Sequence, residues 1–133
     1  MAVIGVGIDV VDLDRAQRLL LRHGARALAR FLLPGERRYV TSRGDPARHF
    51  AVRIAAKEAV YKAFQSLPGA EAISWQDIEV ERNPRGRPHV TLHGRAARLA
   101  AGLGKWRLHL SLTHTDRTAA AVAILEGEAS KTD

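Results

Sequence analysis

A chain of 133 residues, 46% of them apolar, has room for one hydrophobic core and little for a second. The absence of cysteine excludes disulfides, thiolate nucleophiles and thiolate metal sites, leaving oxygen or imidazole for any metal, and a cytoplasmic setting is expected. Twenty-one Lys and Arg against fourteen Asp and Glu give a net charge of +7, which favours polyanionic partners (nucleic acid, a phosphorylated ligand or an acidic protein) without choosing among them.

The opening MAVIGVGIDVVDLDR carries acidic side chains early and no basic lead-in, so neither a secretory signal nor a membrane span is expected. Val3 to Val10 is an apolar, β-branched run of strand length, and its parity places Val3, Gly5, Gly7 and Asp9 on one face. The glycines on that face invite close approach of another backbone. Leucines, alanines and arginines from Asp12 to Leu33 predict helix, with a break at Gly24, and Pro34 with Gly35 is read as its stop. After a loop at Gly44, Asp45 and Pro46, ARHFAVRIAAKEAVYKAF from Ala47 to Phe64 is the strongest helix, with Val52, Ala55, Ala56, Ala59, Val60 and Ala63 on one face. Asp77–Glu81 and His89–His93 predict a hairpin around Asn83-Pro84-Arg85-Gly86-Arg87-Pro88. A short helix over Arg95–Gly104 and two strands about Thr115-Asp116-Arg117 complete the chain.

This order predicts an α+β fold, an antiparallel sheet with helices packed on one face, as a single domain over residues 1–126 with a polar tail at 127–133. A chain this small also gains from burying surface in an oligomer.

Chemistry is carried by four groups of residues. Asp9 closes an apolar strand and Glu58 sits mid-helix; paired carboxylates suit a hard divalent cation, though a turn aspartate and a solvated glutamate fit the spacing as well. On the same helix, taking Arg53 as origin, Lys57, Glu58 and Lys62 fall at about 40°, 140° and 180°. That predicts a polar face opposite the alanines, able to hold a metal-bridged pyrophosphate or simply a Glu58-to-Lys62 surface pair. His114 shares parity with Leu108, Leu110 and Leu112 and so ends a core-facing row. Arg15, Arg18, Arg22 and Arg26 form a near-helical stripe, solvated or docked to an acidic helix.

Three segments, GVGIDVVDLDR (Gly5 to Arg15), FAVRIAAKEAVYKAF (Phe50 to Phe64) and HLSLTHTDRTAAAVAILE (His109 to Glu126), resemble in order the holo-acyl-carrier-protein synthase family of phosphopantetheinyl transferases. The resemblance implies that Asp9 and Glu58 bind magnesium, or manganese, with the pyrophosphate of coenzyme A. It further implies phosphate contacts for Lys57 and Lys62, and contacts to the 3′-phosphate end for Arg53 and His114, with Thr115 beside it. Pro88 would line the nucleotide or arm, and Arg48 would be a further phosphate contact. Arg15 and Arg22 match arginines that dock the acidic carrier protein, while Ala25 stands where the family has another arginine. The implied activity is transfer of 4′-phosphopantetheine to a carrier serine in fatty acid or polyketide synthesis. Glu58, Asp9 and Lys62 would be the catalytic residues, with the serine proton passing to Glu58 or to a metal-bound water. The family forms homotrimers with sites between subunits.

Two other classes compete. An RNA-binding sheet would expose aromatics from its strands, but Phe31, Tyr39, Phe50, Tyr61 and Phe64 fall in helical or loop segments, so nucleic acid is not expected. A non-catalytic coenzyme A binder would use the same residues without transfer.

Overall fold

The computed structural model describes residues 1–128. Its elements, in order, are strand β1 (Ala2–Asp12), helices α1 (Leu13–His23), α2 (Ala25–Phe31), α3 (Pro34–Thr41) and α4 (Pro46–Phe64), strands β2 (Ile78–Arg82) and β3 (Pro88–Leu92), helix α5 (Gly94–Ala101), and strands β4 (Trp106–His114) and β5 (Thr118–Gly127). Short 3₁₀ turns at Ala70–Ala72 and Trp75–Asp77 lead into β2. The strands make a three-stranded antiparallel sheet ordered β1-β5-β4 and a separate two-stranded ribbon, β2-β3. The α+β class is as expected from the sequence, with the single expected sheet divided in two.

Helix α4 is the centre of the fold. Asp45 caps it, accepting from the Arg48 N–H at 3.4 Å, and Pro46 occupies its first turn, where a missing N–H costs nothing. Its alanines at 51, 55, 56, 59 and 63 are fully buried, and small side chains let β1 lie directly on the helix. A Cβ on Gly5 would lie 2.0 Å from the Ala63 carbonyl oxygen, and one on Gly7 1.8 Å from that of Ala59, so both positions demand glycine for space. Phe50, Val60 and Phe64 extend the same core with no exposure, each burial stabilising by about 1.5–3 kcal/mol.

Two details of β1 and its neighbours differ from the sequence reading. A register shift between Val3 and Gly5 pairs Val3 with Glu126 and Gly5 with Leu125. This bulge moves Val3 off the glycine face and onto the outer face with Val6, Ile8 and Val10. Pro34 starts a helix rather than ending one: it is the first residue of α3, and the Glu36 carboxylate accepts the Leu33 N–H at 2.9 Å, closing the first turn. Gly24 breaks the long helical segment as expected, with φ 50°.

The outer face of the three-stranded sheet is apolar and open. Val3, Val6, Ile8 and Val10 are each 58–64% exposed, beside half-buried Val122 and Ile124 of β5. No helix among the described residues is long and apolar enough to cross a membrane.

Candidate active site

The sheet and α4 bring Asp9, Glu58 and Lys62 together. The Lys62 ammonium donates to the Asp9 carboxylate at 3.1 Å and to the Ile8 carbonyl at 3.0 Å. Of the two arrangements the spacing allowed, the Glu58-to-Lys62 surface pair gives way to a bond from helix to strand. Partial burial, and secondarily the charge of Asp9, push the Glu58 carboxyl above its ordinary pKa, with Lys62 and Arg15 pulling the other way. The Glu58 and Asp9 carboxylates thus stand close enough to interact, a pair of oxygen donors matched in type to a hard cation.

Glu58 also lines a cavity of about 200 Å³ with Lys57, Tyr61, Ile73, Ser74, Trp75 and Ile78. One wall is α4; the other is the segment leading into β2.

Lys57 departs from the expected polar face. Its side chain and that of Glu36 are both fully buried, joined at 2.7 Å. Its ammonium also donates to the Trp75 carbonyl at 2.9 Å. Glu36 was not legible from the sequence, because α3 was not. It accepts from the Val80 N–H at 2.9 Å as well as from Leu33. Burial draws the Lys57 ammonium below the ordinary lysine pKa, and Glu36 opposes the shift. The polar face of α4 therefore narrows to Glu58, Tyr61 and Lys62.

Arg53 lies on the side of α4 that faces α3. Its guanidinium stacks over the Tyr39 ring, 4.4 Å from the centroid, and donates to the His49 carbonyl at 3.4 Å. Its Nε is buried with no partner, a costly state for a donor. Burial lowers its pKa, with Glu36 and Tyr39 opposing. The cleft it lines, about 220 Å³, also contains Gly35, Glu36, Tyr39, Val80, Glu81 and Arg82. Arg43 covers Tyr39 at 4.2 Å, completing a basic group that the sequence reading did not assemble.

The other expected residues are spread over the molecule. Pro88 opens β3 opposite Arg82. His114 ends β4 opposite Ala119 and is exposed, so the core-facing row stops at Leu112. Thr115 spends its hydroxyl on the β4–β5 turn, accepting from Arg117 and Thr118 N–H groups at 3.2 and 3.1 Å. Arg15, Arg18 and Arg22 are exposed on α1, flanking a 79% exposed Leu21. Arg15 is near enough to Glu58 to lower its pKa. Arg48 pairs with Asp45 at 3.7 Å.

An α+β domain whose sheet and central helix present two carboxylates and a lysine, with a basic cleft on another side of that helix, has the build of an enzyme. The family model described as the 4′-phosphopantetheinyl transferase superfamily matches residues 5–123. The holo-[acyl-carrier-protein] synthase of Koribacter versatilis (strain Ellin345) is 44% identical over 125 residues, covering 93% of this chain and 98% of that protein. Among solved structures, the synthase from Neisseria meningitidis superposes with a TM-score of 0.83 at 30% identity, over 93% of this chain and 98% of that one. The Chronobacterium ammoniagenes synthase–coenzyme A complex gives 0.82 at 32% identity, over 97% and 100%. The chain belongs to the holo-acyl-carrier-protein synthase family of 4′-phosphopantetheinyl transferases and is a transferase.

Proposed function

We propose that the protein transfers the 4′-phosphopantetheine arm of coenzyme A to a serine of an apo acyl carrier protein, in the cytoplasm, with magnesium or manganese, for fatty acid or polyketide synthesis. The observation that carries this reading is the convergence of Asp9 and Lys62 with Glu58, which lines the cavity. The donor set fits a hard divalent cation. Two carboxylates are present, and no group of three ligating side chains occurs among the described residues, which leaves positions for water and phosphate oxygens. Bound to Asp9 and Glu58, the cation supplies charge neutralisation on the pyrophosphate.

In the transfer, the serine oxygen bonds to the phosphorus bearing the pantetheine arm as the bond to the leaving adenosine 3′,5′-bisphosphate breaks. Lys62 balances charge on the phosphoryl oxygens once it turns from Asp9, a short swing for a 41% exposed side chain. Glu58, which lines the cavity, takes the serine proton on a carboxylate oxygen not committed to the cation. Arg53, with its unpartnered Nε, binds the 3′-phosphate end, and Pro88, His114 and Thr115 complete the coenzyme A contacts. Lys57, enclosed against Glu36, is left out of the phosphate contacts. Arg15 and Arg22 dock the acidic carrier on α1, and Arg15's proximity to Glu58 puts that surface beside the chemistry.

Arg53 and Glu58 lie about 140° apart on one helix, so one chain does not aim both at one ligand. A homotrimer in which neighbouring copies share each site resolves this. The open apolar face of Val3, Val6, Ile8 and Val10 provides surface for association.

Intact-protein mass spectrometry of an apo carrier after incubation with enzyme, coenzyme A and magnesium tests the reading. The expected result is a gain of one phosphopantetheine arm, abolished by EDTA and by Glu58→Ala, with that variant folding normally. No gain on several apo carriers would reject the transfer, and full activity in Glu58→Ala would reject the metal assignment.

A further inference from the structure

The Glu36–Lys57 pair has no place in the chemistry above, yet its two side chains are the most enclosed charged ones among the described residues. Both side chains have zero exposure, and three of their four side-chain hydrogen bonds cross between segments. Lys57 on α4 reaches Glu36 on α3 at 2.7 Å and the Trp75 carbonyl at 2.9 Å. Glu36 in turn receives the Leu33 N–H before α3 and the Val80 N–H of β2, each at 2.9 Å. A buried ion pair is commonly replaceable by apolar side chains without loss of stability. Stability alone therefore does not account for charge at this point; fixed geometry does.

That geometry borders the two spaces that the transfer reading assigns to coenzyme A. The Lys57–Trp75 bond spans the cavity walls, from the helix that carries Glu58 to the segment carrying Ile73, Ser74 and Trp75. The Glu36–Val80 bond spans the cleft that contains Tyr39, Arg53 and Arg82. We propose that Glu36 and Lys57 are positioning residues: one buried pair sets the separation of the cavity walls beside Glu58 and of the cleft walls around Arg53. Lys57 directly precedes Glu58 in the chain, so anchoring its ammonium from within fixes the rotation of α4 that turns Glu58 and Lys62 outward. The inference rests on the transfer reading, in which coenzyme A occupies these spaces and the carrier docks elsewhere, on α1.

The test is steady-state transfer by the double variant Glu36→Gln/Lys57→Met, which removes both charges together, with circular dichroism confirming its fold. A merely structural loss leaves fewer active molecules, lowering apparent kcat while KM for both substrates is unchanged. Displaced walls give a different pattern: KM for coenzyme A rises several-fold, kcat falls on the order of a hundredfold, as about 1 Å of misplacement produces, and KM for the carrier stays constant. Glu36→Gln alone, in which Lys57 can shed its proton rather than remain charged and unpaired, carries the same test if the double variant does not fold. A folded variant with kcat and the coenzyme A KM within about twofold of wild type, well under 1.4 kcal/mol, would overturn the positioning role while leaving the transfer reading intact. Wild-type protein inactive on every apo carrier would instead overturn the reading beneath it.

Discussion

Two lysines five positions apart on α4 hold carboxylates in opposite ways. Lys57 and Glu36 are fully buried and meet at 2.7 Å. Lys62 and Asp9 meet at 3.1 Å with 41% and 18% of their side chains exposed. The first pair has given up its water for good and must keep its partner; the second remains solvated and can exchange partners at little cost. One helix thus carries an enclosed lysine on its inner side and, on its outer side, a solvated lysine to which the proposed function gives a part in the transfer.

The largest expected effect tests the inner pair. Lys57→Met strands the Glu36 carboxylate in the core with only backbone donors and should cost about 3–5 kcal/mol, the usual penalty for removing one partner of a buried pair. Guanidinium denaturation, read at the midpoint, measures it. A loss under about 1 kcal/mol, the range of exposed pairs, would erase the distinction between the two lysines.

The outer pair should respond in reverse. Lys62→Met removes an exposed bond worth at most about 1 kcal/mol, and salt, which screens exposed pairs, should shrink even that. Transfer should nevertheless fall on the order of a hundredfold, typical of deleting one charge-stabilising donor. Activity measured beside a melting curve separates the two. Large destabilisation with transfer retained would make Lys62 a second framework residue.

The same contrast explains what the sequence could and could not show. Helix α4 and the glycine face of β1 were legible because alanine periodicity and paired glycines report directly on close packing. Asp9, Glu58 and Lys62 were legible as residues, though only the resemblance favoured their meeting over a solvated alternative. The side of α4 on which Lys57 points was not, because Pro34 was read as the end of a helix and the element that buries Lys57, α3, was not predicted. A signal was present: proline followed two residues later by glutamate fits the first turn of a helix. Glu36 is an ordinary surface glutamate until that helix is placed. The bulge at Val3/Gly5 leaves no mark that parity can detect, so one valine was assigned to the wrong face. The separation of β2-β3 from the main sheet depends on tertiary packing that strand patterns do not encode.

The smallest expected effect comes from a third arrangement on the same helix, where cations outnumber the carboxylates near them. His49 lies in the first turns of α4 with its ring edge-on to Tyr39, centroids 5.4 Å apart. Burial first, then the charges of Arg48, Arg53, Arg43 and Arg82, hold its pKa below the usual 6.5. The unfolded chain therefore takes up a proton more readily than the folded one. Stability contributed by neutral His49 is present above about pH 6.5 and is lost as the pH falls through that value toward the lower folded pKa. His49→Gln should consequently show a shallower fall in denaturation midpoint between about pH 7 and pH 5. Its absolute stability at neutral pH is a poorer guide, since the contact with Tyr39, worth about 0.5–1.5 kcal/mol, is lost as well. Parallel curves for the two proteins would show that neither burial nor the arginines hold the His49 pKa down. Under the proposed function, saturating coenzyme A brings phosphate to this group, raises the histidine's pKa and should flatten the wild-type slope toward that of the variant, placing the anion at Arg53 without a measurement of turnover.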